Sequence, residues 1–366
     1  MKICVISSTV FKVPVVGYAG LEHLAWQQAK GLAERGHQVT LIAPDGSSCP
    51  GVTVVPTGPP GRWGEKESYG GFTYATGVKI KNEKGEEADQ TVTVPPYWPE
   101  LLKHQIIADH SWSKFSSLLK MEGRLKAPIL GVMHAPVNTM YQTLPPEKII
   151  SFVCISNDQA DHFRALFNRE CRVVYNGIDT DWYKPIEGIK RSDRFLFLAR
   201  FSRIKGPDLA IDVCRATNSN LDMVGDTQIT GEPDYLEFCK KKTDGKQIKF
   251  VGPANRGEAV WWYSQARGFI HLCPQFREPY GLAPVEAQAC QNPVLCFNYG
   301  AMRETVKDKE TGFLVKSIEQ AVEIMKSGAM DSIDREACRE NAQRFTVEKM
   351  IDNYEKLCFE AVDSPW

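Results

Sequence analysis

A chain of 366 residues, 43% hydrophobic and 24% charged with a formal net charge of -1, holds enough apolar sequence for two ordinary domain cores. Its charges are balanced along the chain and form no long basic stripe, which excludes a dedicated nucleic-acid binder. The 11 cysteines include no C-x-x-C pair, so neither a zinc ribbon nor a thioredoxin-like motif is present, and they read as buried, reduced thiols of a cytosolic protein.

The chain opens directly on a strand-like run, Lys2 to Ile6, without the apolar core and cleavage site of a signal peptide. No apolar stretch approaches the ~20 residues of a membrane span. After a loop through Phe11 to Gly17, the residues Leu21, Leu24, Ala25, Ala29 and Leu32 fall at helical spacing, which predicts a helix over Leu21–Glu34 that Gly36 stops. Val39 to Ile42 is the next strand. Strand, helix and strand of this length imply a right-handed parallel crossover, the opening unit of a doubly wound sheet. Gly58-Pro59-Pro60-Gly61 is a turn, and the polar run Lys81 to Asp89 reads as an exposed loop or hairpin tip.

Three further strands, Ile106–Ala108, Ile129–Met133 and Phe152–Ile155, run into the clusters Asp109-His110-Ser111, His134-Ala135-Pro136 and Ser156-Asn157-Asp158. Ligands of open parallel sheets bind beyond the carboxyl ends of the strands, so chemistry is sought at these three ends. Lys184 to Asp193 reads as a linker. The strand pattern then restarts with Phe195–Leu198, Leu221–Val224, Ile248–Val251, Phe269–Leu272 and Val294–Phe297. The fold class is therefore α/β, with two Rossmann-like doubly wound parallel-sheet domains over residues 1–185 and 186–346. Val347 to Val362 has the apolar spacing of a closing helix.

Two segments of the second half carry charge where a phosphate would bind. In Glu278-Pro279-Tyr280-Gly281-Leu282-Ala283-Pro284-Val285-Glu286, Pro284 near the start of a helix puts the helix N-terminus just after Gly281-Leu282. Free N–H groups and the positive dipole end there suit an anion, and Gly281 permits close backbone approach. Glu278 and Glu286 flank that anion site, and their partners would be hydroxyl groups. On spacing alone they read equally well as a surface acid and a dipole-stabilised helix acid. The second segment, Arg200 to Gly206, offers a guanidinium and, at Lys205, an ammonium from a strand-to-helix loop; the pair suits a diphosphate, although alone it reads as a solvated loop.

Taken in order, these pieces resemble the retaining GT-B glycosyltransferases of family 4, over nearly the whole chain. Glu278 to Glu286 with Tyr280-Gly281-Leu282 is similar to the family's Glu-seven-Glu pattern, and Arg200 with Lys205-Gly206 to its Arg and Lys-Gly pair. Asn176-Gly177-Ile178-Asp179, then Gly300 with Glu304, then Thr311 to Val315 match its later segments. The resemblance implies two domains facing a cleft, with the helix at about 347–366 packing back on the first. It also implies that Arg200 and Lys205 bind the donor diphosphate and that Glu286 holds the ribose. Glu278 and the backbone of Tyr280, Gly281 and Leu282 would hold sugar and phosphates.

On the first domain, Gly17-Tyr18-Ala19-Gly20-Leu21-Glu22 resembles the family's glycine loop, with Ala19 where a glycine is usual. Gly20 would give close backbone contact. His134 occupies the place of a donor-facing histidine, and His110 is an acceptor-side candidate. Trp63, Tyr69 and Tyr74 could line the acceptor or simply pack. Asp179-Thr180-Asp181 spells the D-x-D of metal-dependent sugar transferases, but it precedes the linker, and no metal or other cofactor is expected. The partners implied are a nucleotide sugar, UDP-linked before GDP-linked, and a small-molecule, glycan or lipid-linked acceptor, without nucleic acid or a membrane span. The location is cytoplasmic, with peripheral membrane contact left open. Two other readings fit the same residues: a nucleotide-sugar epimerase and an inactive sugar-nucleotide-binding protein.

Overall fold

The computed structural model describes residues 1–366 except 18, 62–71, 82–86, 95, 96, 113, 138–144, 146, 228–231 and 275; for 72–81 and 87–94 it describes the backbone only. Trp63 and Tyr69 lie outside the described residues, as does the side chain of Tyr74.

The first sheet has seven strands: β1 (Lys2–Ile6), β2 (Gln38–Ala43), β3 (Thr53–Pro56), β6 (Ile106–Asp109), β7 (Ile129–Met133), β8 (Ser151–Cys154) and β9 (Arg172–Val173). They run parallel in the order β3-β2-β1-β6-β7-β8-β9. The central strands are apolar and buried along almost their whole length, because helices cover both faces of the sheet. The edge strands β3 and β9 are short and half-exposed, so neither presents the continuous apolar run by which the inner strands are read. β4 (Phe72–Lys81) and β5 (Glu87–Val94) form a separate antiparallel pair, with residues 82–86 of the expected hairpin tip outside the described residues.

The helix between β1 and β2, α1 (Gly20–Glu34), buries Leu24, Ala25, Ala29 and Leu32, the face its periodicity predicts. Gly36 follows it at φ 86°, the left-handed geometry that ends a helix. α2 (Phe115–Met121) follows β6, and α3 (Asn157–Phe167) follows β8.

The second sheet has six parallel strands in the order β12-β11-β10-β13-β14-β15. These are β10 (Arg194–Leu198), β11 (Asn220–Val224), β12 (Ile248–Gly252), β13 (Phe269–His271), β14 (Val294–Phe297) and β15 (Gly312–Val315). Its helices are α4 (Pro207–Ala216), α5 (Pro233–Lys241), α6 (Arg256–Gln265), α7 (Leu282–Ala289), α8 (Met302–Thr305), α9 (Ile318–Lys326) and α10 (Arg335–Ala342). In each sheet the strand order reverses once, between β1 and β6 and between β10 and β13. Those switch points are where a doubly wound sheet opens a crevice at its carboxyl edge.

The chain crosses between the domains twice, side by side. Ile178 N donates to Phe345 O at 2.8 Å, and Val347 N donates to Ile178 O at 3.1 Å. The closing helix α11 (Val347–Asp363) lies on α1, where Ile351 packs against Gly31 so closely that a Cβ there would come within 2.6 Å. Arg35 ion-pairs with Asp352 and Glu355, and Arg172 with Glu360, which ties α11 to the first domain. Tyr175, Tyr280 and Phe345 pack ring to ring at the crossing, with centroids 5.3–6.3 Å apart. All 11 cysteines are free and buried.

Candidate active site

The second domain contributes the charged wall. After β10, Arg200 is half-buried, and Arg203–Lys205 makes a single 3-10 turn that Gly206 ends before α4 begins at Pro207. This turn delivers the Lys205 ammonium to the carboxylate of Glu278, which stands beyond the end of β13. The two side chains keep only 12% and 11% of their surface exposed. The ammonium also lies 5.4 Å from the centroid of the Phe276 ring.

Two more side chains reach the same carboxylate. His271 Nε2 is 3.6 Å from Glu278 Oε2, and Cys273 Sγ is 3.8 Å from it. Burial opposes ionisation of Glu278, but Lys205 and His271 outweigh it and hold the carboxyl well below the usual range. Burial raises the Cys273 thiol and lowers His271, so thiol and imidazole are both neutral.

The loop bearing Glu278 is fixed by backbone. Ala301 N donates to Glu278 O at 3.0 Å. Gly300 takes φ 64°, and a Cβ on it would stand 2.7 Å from Glu278 O and 2.8 Å from Glu278 N. Three residues beyond Glu278, Gly281 at φ 82° is the N-cap of α7, and no side chain caps the helix. Its first N–H groups are therefore available to an anion. Leu282, the first helical residue, meets the first domain: a Cβ on Gly20, at the start of α1, would lie 3.0 Å from Leu282 Cδ1.

Glu286 sits one turn into α7. It accepts from Tyr263 Oη at 3.1 Å, and burial raises its pKa against the opposing effects of Arg256, Tyr183 and Tyr263. Tyr280 turns its buried ring into the interdomain cluster, so its backbone is the part that faces the glycine cap.

The first domain contributes a hydrogen-bonded pair of histidines. His134, half-buried at the end of β7, is bonded through Nε2 to His110 Nδ1 at 2.8 Å. His110 is 1% exposed, and its Nε2 meets Gln28 Oε1 of α1 at 2.5 Å. The ring of His110 thus lies beneath His134, not on the cleft surface. Burial, then His134 and Lys114, push His110 well below the ordinary imidazole value, and burial followed by Lys114 brings His134 to about 3. Asp109 is buried and accepts from Ser111 N at 2.9 Å, Ser111 Oγ at 2.6 Å and Ser116 Oγ, so it organises the loop after β6. In the glycine loop the Ala19 methyl is buried, and Glu22 accepts a hydrogen bond from Ser8 Oγ.

His134 also makes stability depend on pH. Folded, it binds its proton only near pH 3, whereas an unfolded histidine does so near 6.5. Between those values the unfolded chain holds the extra proton, so stability falls as pH drops below about 6.5. In His134→Gln the melting temperature should fall less between pH 7 and pH 4.5 than in the parent chain. Equal slopes would show that this imidazole is not held neutral by the fold.

Between the walls, polar side chains of the two domains interlock. Asp158, on the first turn of α3, takes Arg277 at 2.6 and 2.9 Å and Arg303 at 2.7 Å. Glu304 accepts from the N–H groups of Asn157 and Asp158 at 2.9 and 2.6 Å and from Tyr175 Oη at 2.5 Å. Arg277 immediately precedes Glu278, so this network joins the first domain to the loop that carries the carboxylate. The arginines are partly exposed, which reduces what the pairs contribute. Asp158→Ala should lower unfolding stability by about 1–3 kcal/mol in urea titration, with Arg277→Ala costing less because Arg303 still serves Asp158. The sequence singles out Asp158 in a strand-end cluster and Glu304 beside Gly300, but nothing in it shows that they meet Arg277, Arg303 and each other's domains.

Asp179 Oδ1 accepts from the backbone N–H of Asp181 and Trp182 at 3.1 and 2.9 Å, so the D-x-D string closes a turn. The one group of described side chains close enough to share an ion is His271, Cys273 and Glu278, and there the Lys205 ammonium already sits on the same carboxylate oxygen that the ion would need.

Comparison with known proteins agrees with this architecture. Residues 18–182 match the family described as Glycosyltransferase Family 4, and residues 180–345 match Glycosyl transferases group 1. The two matches run end to end across both domains, and the chain belongs to the GT-B glycosyltransferases of family 4 type. Among its relatives, an uncharacterized 41.2 kDa protein of the cps region of Klebsiella pneumoniae is 27% identical over 203 residues, 51% of this chain. The chain thus spans about half of that relative's length, 54%. D-inositol 3-phosphate glycosyltransferase 1 of Catenulispora acidiphila is 24% identical over 348 residues, covering 82% of this chain and 80% of its own. The crystal structure of Anabaena HepE in complex with UDP and glucose superposes with a TM-score of 0.70 at 17% identity, over 98% of this chain and 99% of that one. At that identity the likeness is one of fold.

Proposed function

We propose that the chain is a retaining glycosyltransferase that moves a hexose from a nucleotide-diphosphate sugar to an acceptor hydroxyl, with a UDP-sugar as the preferred donor over a GDP-sugar. The observation that carries this reading is the buried Lys205–Glu278 ion pair beside the uncapped start of α7. Without donor, ammonium and carboxylate neutralise each other. A diphosphate draws the ammonium and the helix N-terminus to its own oxygens, and Glu278 is released to accept from sugar hydroxyls. The site then exchanges one charge pairing for another and leaves no charge buried alone.

In the transfer the bond from the anomeric carbon to the leaving phosphate oxygen breaks, and the bond to the acceptor oxygen forms on the same face. The acceptor's proton goes to the departing phosphate oxygen. Negative charge grows on the diphosphate, and Lys205, Arg200 and the N–H groups of α7 stabilise it. Glu286, oriented by Tyr263, would hold the ribose hydroxyls. Gly20 and His134 close the sugar pocket from the first domain, and no metal is required. The UDP and glucose bound in HepE support UDP-glucose as the first donor to test. The naming of the Catenulispora relative supports inositol phosphate as a first acceptor.

The test is nuclear magnetic resonance of the product formed from an α-linked UDP-sugar. Retention gives an α-linkage, with one UDP released for each sugar transferred. A β-linked product would overturn the retaining assignment. Consumption of donor without an acceptor, and without net transfer, would point to epimerisation.

A further inference from the structure

We propose that Gln28 and His110 are positioning residues that fix the tautomer of His134, so that its Nδ1 faces the cleft as a hydrogen-bond acceptor. The catalytic part of this inference rests on the reading of His134 as a sugar-facing residue; the tautomer itself does not.

The relay starts on α1. Gln28 lies on the third turn of that helix and is completely buried. Helical spacing would put an apolar residue on this face. Its Oε1 can only accept, so His110 Nε2, 2.5 Å away, carries the hydrogen. A neutral imidazole with its hydrogen on Nε2 has a lone pair on Nδ1. That lone pair accepts from the atom 2.8 Å from it, His134 Nε2, which must therefore carry the hydrogen of its own ring. His134 is left with a lone pair on Nδ1, and among the described residues nothing hydrogen-bonds that atom.

The surroundings hold the relay in place. Tyr354 of α11 lies against His110 with centroids 6.1 Å apart, and the rings of His110 and His134 lie edge to edge, 27° from coplanar, with centroids 5.1 Å apart. Burial and the nearby Lys114 keep both imidazoles uncharged, so the relay has no third state in which His134 donates from both nitrogens. Three side chains in succession, from the helix interior to the cleft, thus pass one direction of hydrogen bonding outward. The consequence is a rule of specificity. The group that meets His134 must donate a hydrogen bond, as a sugar hydroxyl does, and a fluorine or methoxy group at that position is rejected.

The test is a long-range proton–nitrogen correlation spectrum of the full chain with nitrogen-15 in histidine, at pH 7 and without substrate. The expected result is that His134 has a protonated Nε2 and a bare Nδ1. A protonated Nδ1, or a doubly protonated ring, overturns the proposal whether or not the chain transfers sugar. Two variants read the relay's direction. Gln28→Glu keeps an acceptor at His110 and should preserve both the tautomer and most of the turnover. Gln28→Leu frees His110 to reverse, and should show mixed tautomers at His134 with turnover reduced about tenfold or more. If the leucine variant fails to fold, the wild-type spectrum and Gln28→Glu still decide the matter, because a Gln28 that donated would be disabled by the carboxylate. Matching tautomers in all three proteins would remove Gln28 from the relay.

Discussion

Lys205→Met is expected to lower kcat/KM for sugar transfer by about 10³-fold or more, because a buried cation proposed to stand at the developing phosphate charge is gone while the length of the side chain is nearly kept. The same change has a signature in the folded state before any substrate is added. Lys205 and Glu278 are both almost fully buried, and removal of one partner strands the other. Breaking such a pair costs about 3–5 kcal/mol.

The pH dependence carries the sign of this effect. The folded pKa of Glu278 is depressed, so its contribution to stability is present above the unfolded carboxyl value and is lost as pH falls through the folded one. In Lys205→Met the carboxyl moves back toward its burial-raised value, and that contribution disappears at neutral pH. The variant should therefore lose most stability near pH 7 and differ least from the parent in acid. Melting curves at pH 7 and pH 4 separate this from a uniform loss of packing. Full activity in the variant would remove Lys205 from the diphosphate site.

Gly300→Ala acts through backbone alone and should be nearly as damaging. The residue is in the left-handed region, where an alanine is strained by about 1 kcal/mol. Steric contact costs more than that strain: a Cβ at 2.7 and 2.8 Å from the backbone of Glu278 meets atoms that cannot rotate away. The loop must shift, which displaces the Glu278 carboxylate from Lys205 and from the start of α7. We expect a stability loss of about 2–4 kcal/mol and a fall in turnover of about 100-fold or more. Gly188→Ala is the control. Gly188 also has a left-handed backbone, φ 77°, but nothing lies within 4 Å of its added Cβ. It should show the strain alone and leave turnover intact. If the two variants behave alike, backbone strain and not the approach to Glu278 is the cause.

Much of this architecture can be read from residue pattern. The inner strands are uninterrupted apolar runs because both faces of each sheet are covered. The start of α7 is legible because Pro284 suits a first helical turn and Gly281 precedes it. What escapes the sequence is contact across distance. Lys205 and Glu278 stand 73 residues apart, and both read as ligand-binding groups without any sign that they bind each other. Gln28 reads as part of a helix face, and only the placement of β6 beside β1 brings His110 over it. Asp158 reads as part of a strand-end cluster and Glu304 as part of a family segment, and their partnership across the domains shows only once the two sheets are set facing. His271 and Cys273 sit in an apolar strand run, where nothing in spacing distinguishes a polar floor beneath a carboxylate from core packing. The edge strands β3 and β9 escape for a simpler reason, being too short and too exposed to show a period.

The most direct measurement is isothermal titration calorimetry of UDP-glucose and GDP-glucose against the full chain and against Lys205→Met. The parent chain should bind a nucleotide-diphosphate sugar saturably, the UDP-sugar most tightly, and the variant should bind it about tenfold or more weakly as one charge-assisted contact is lost. Equal affinity in the two proteins, or no binding of either nucleotide sugar by the parent, would contradict a donor-diphosphate site built on Lys205.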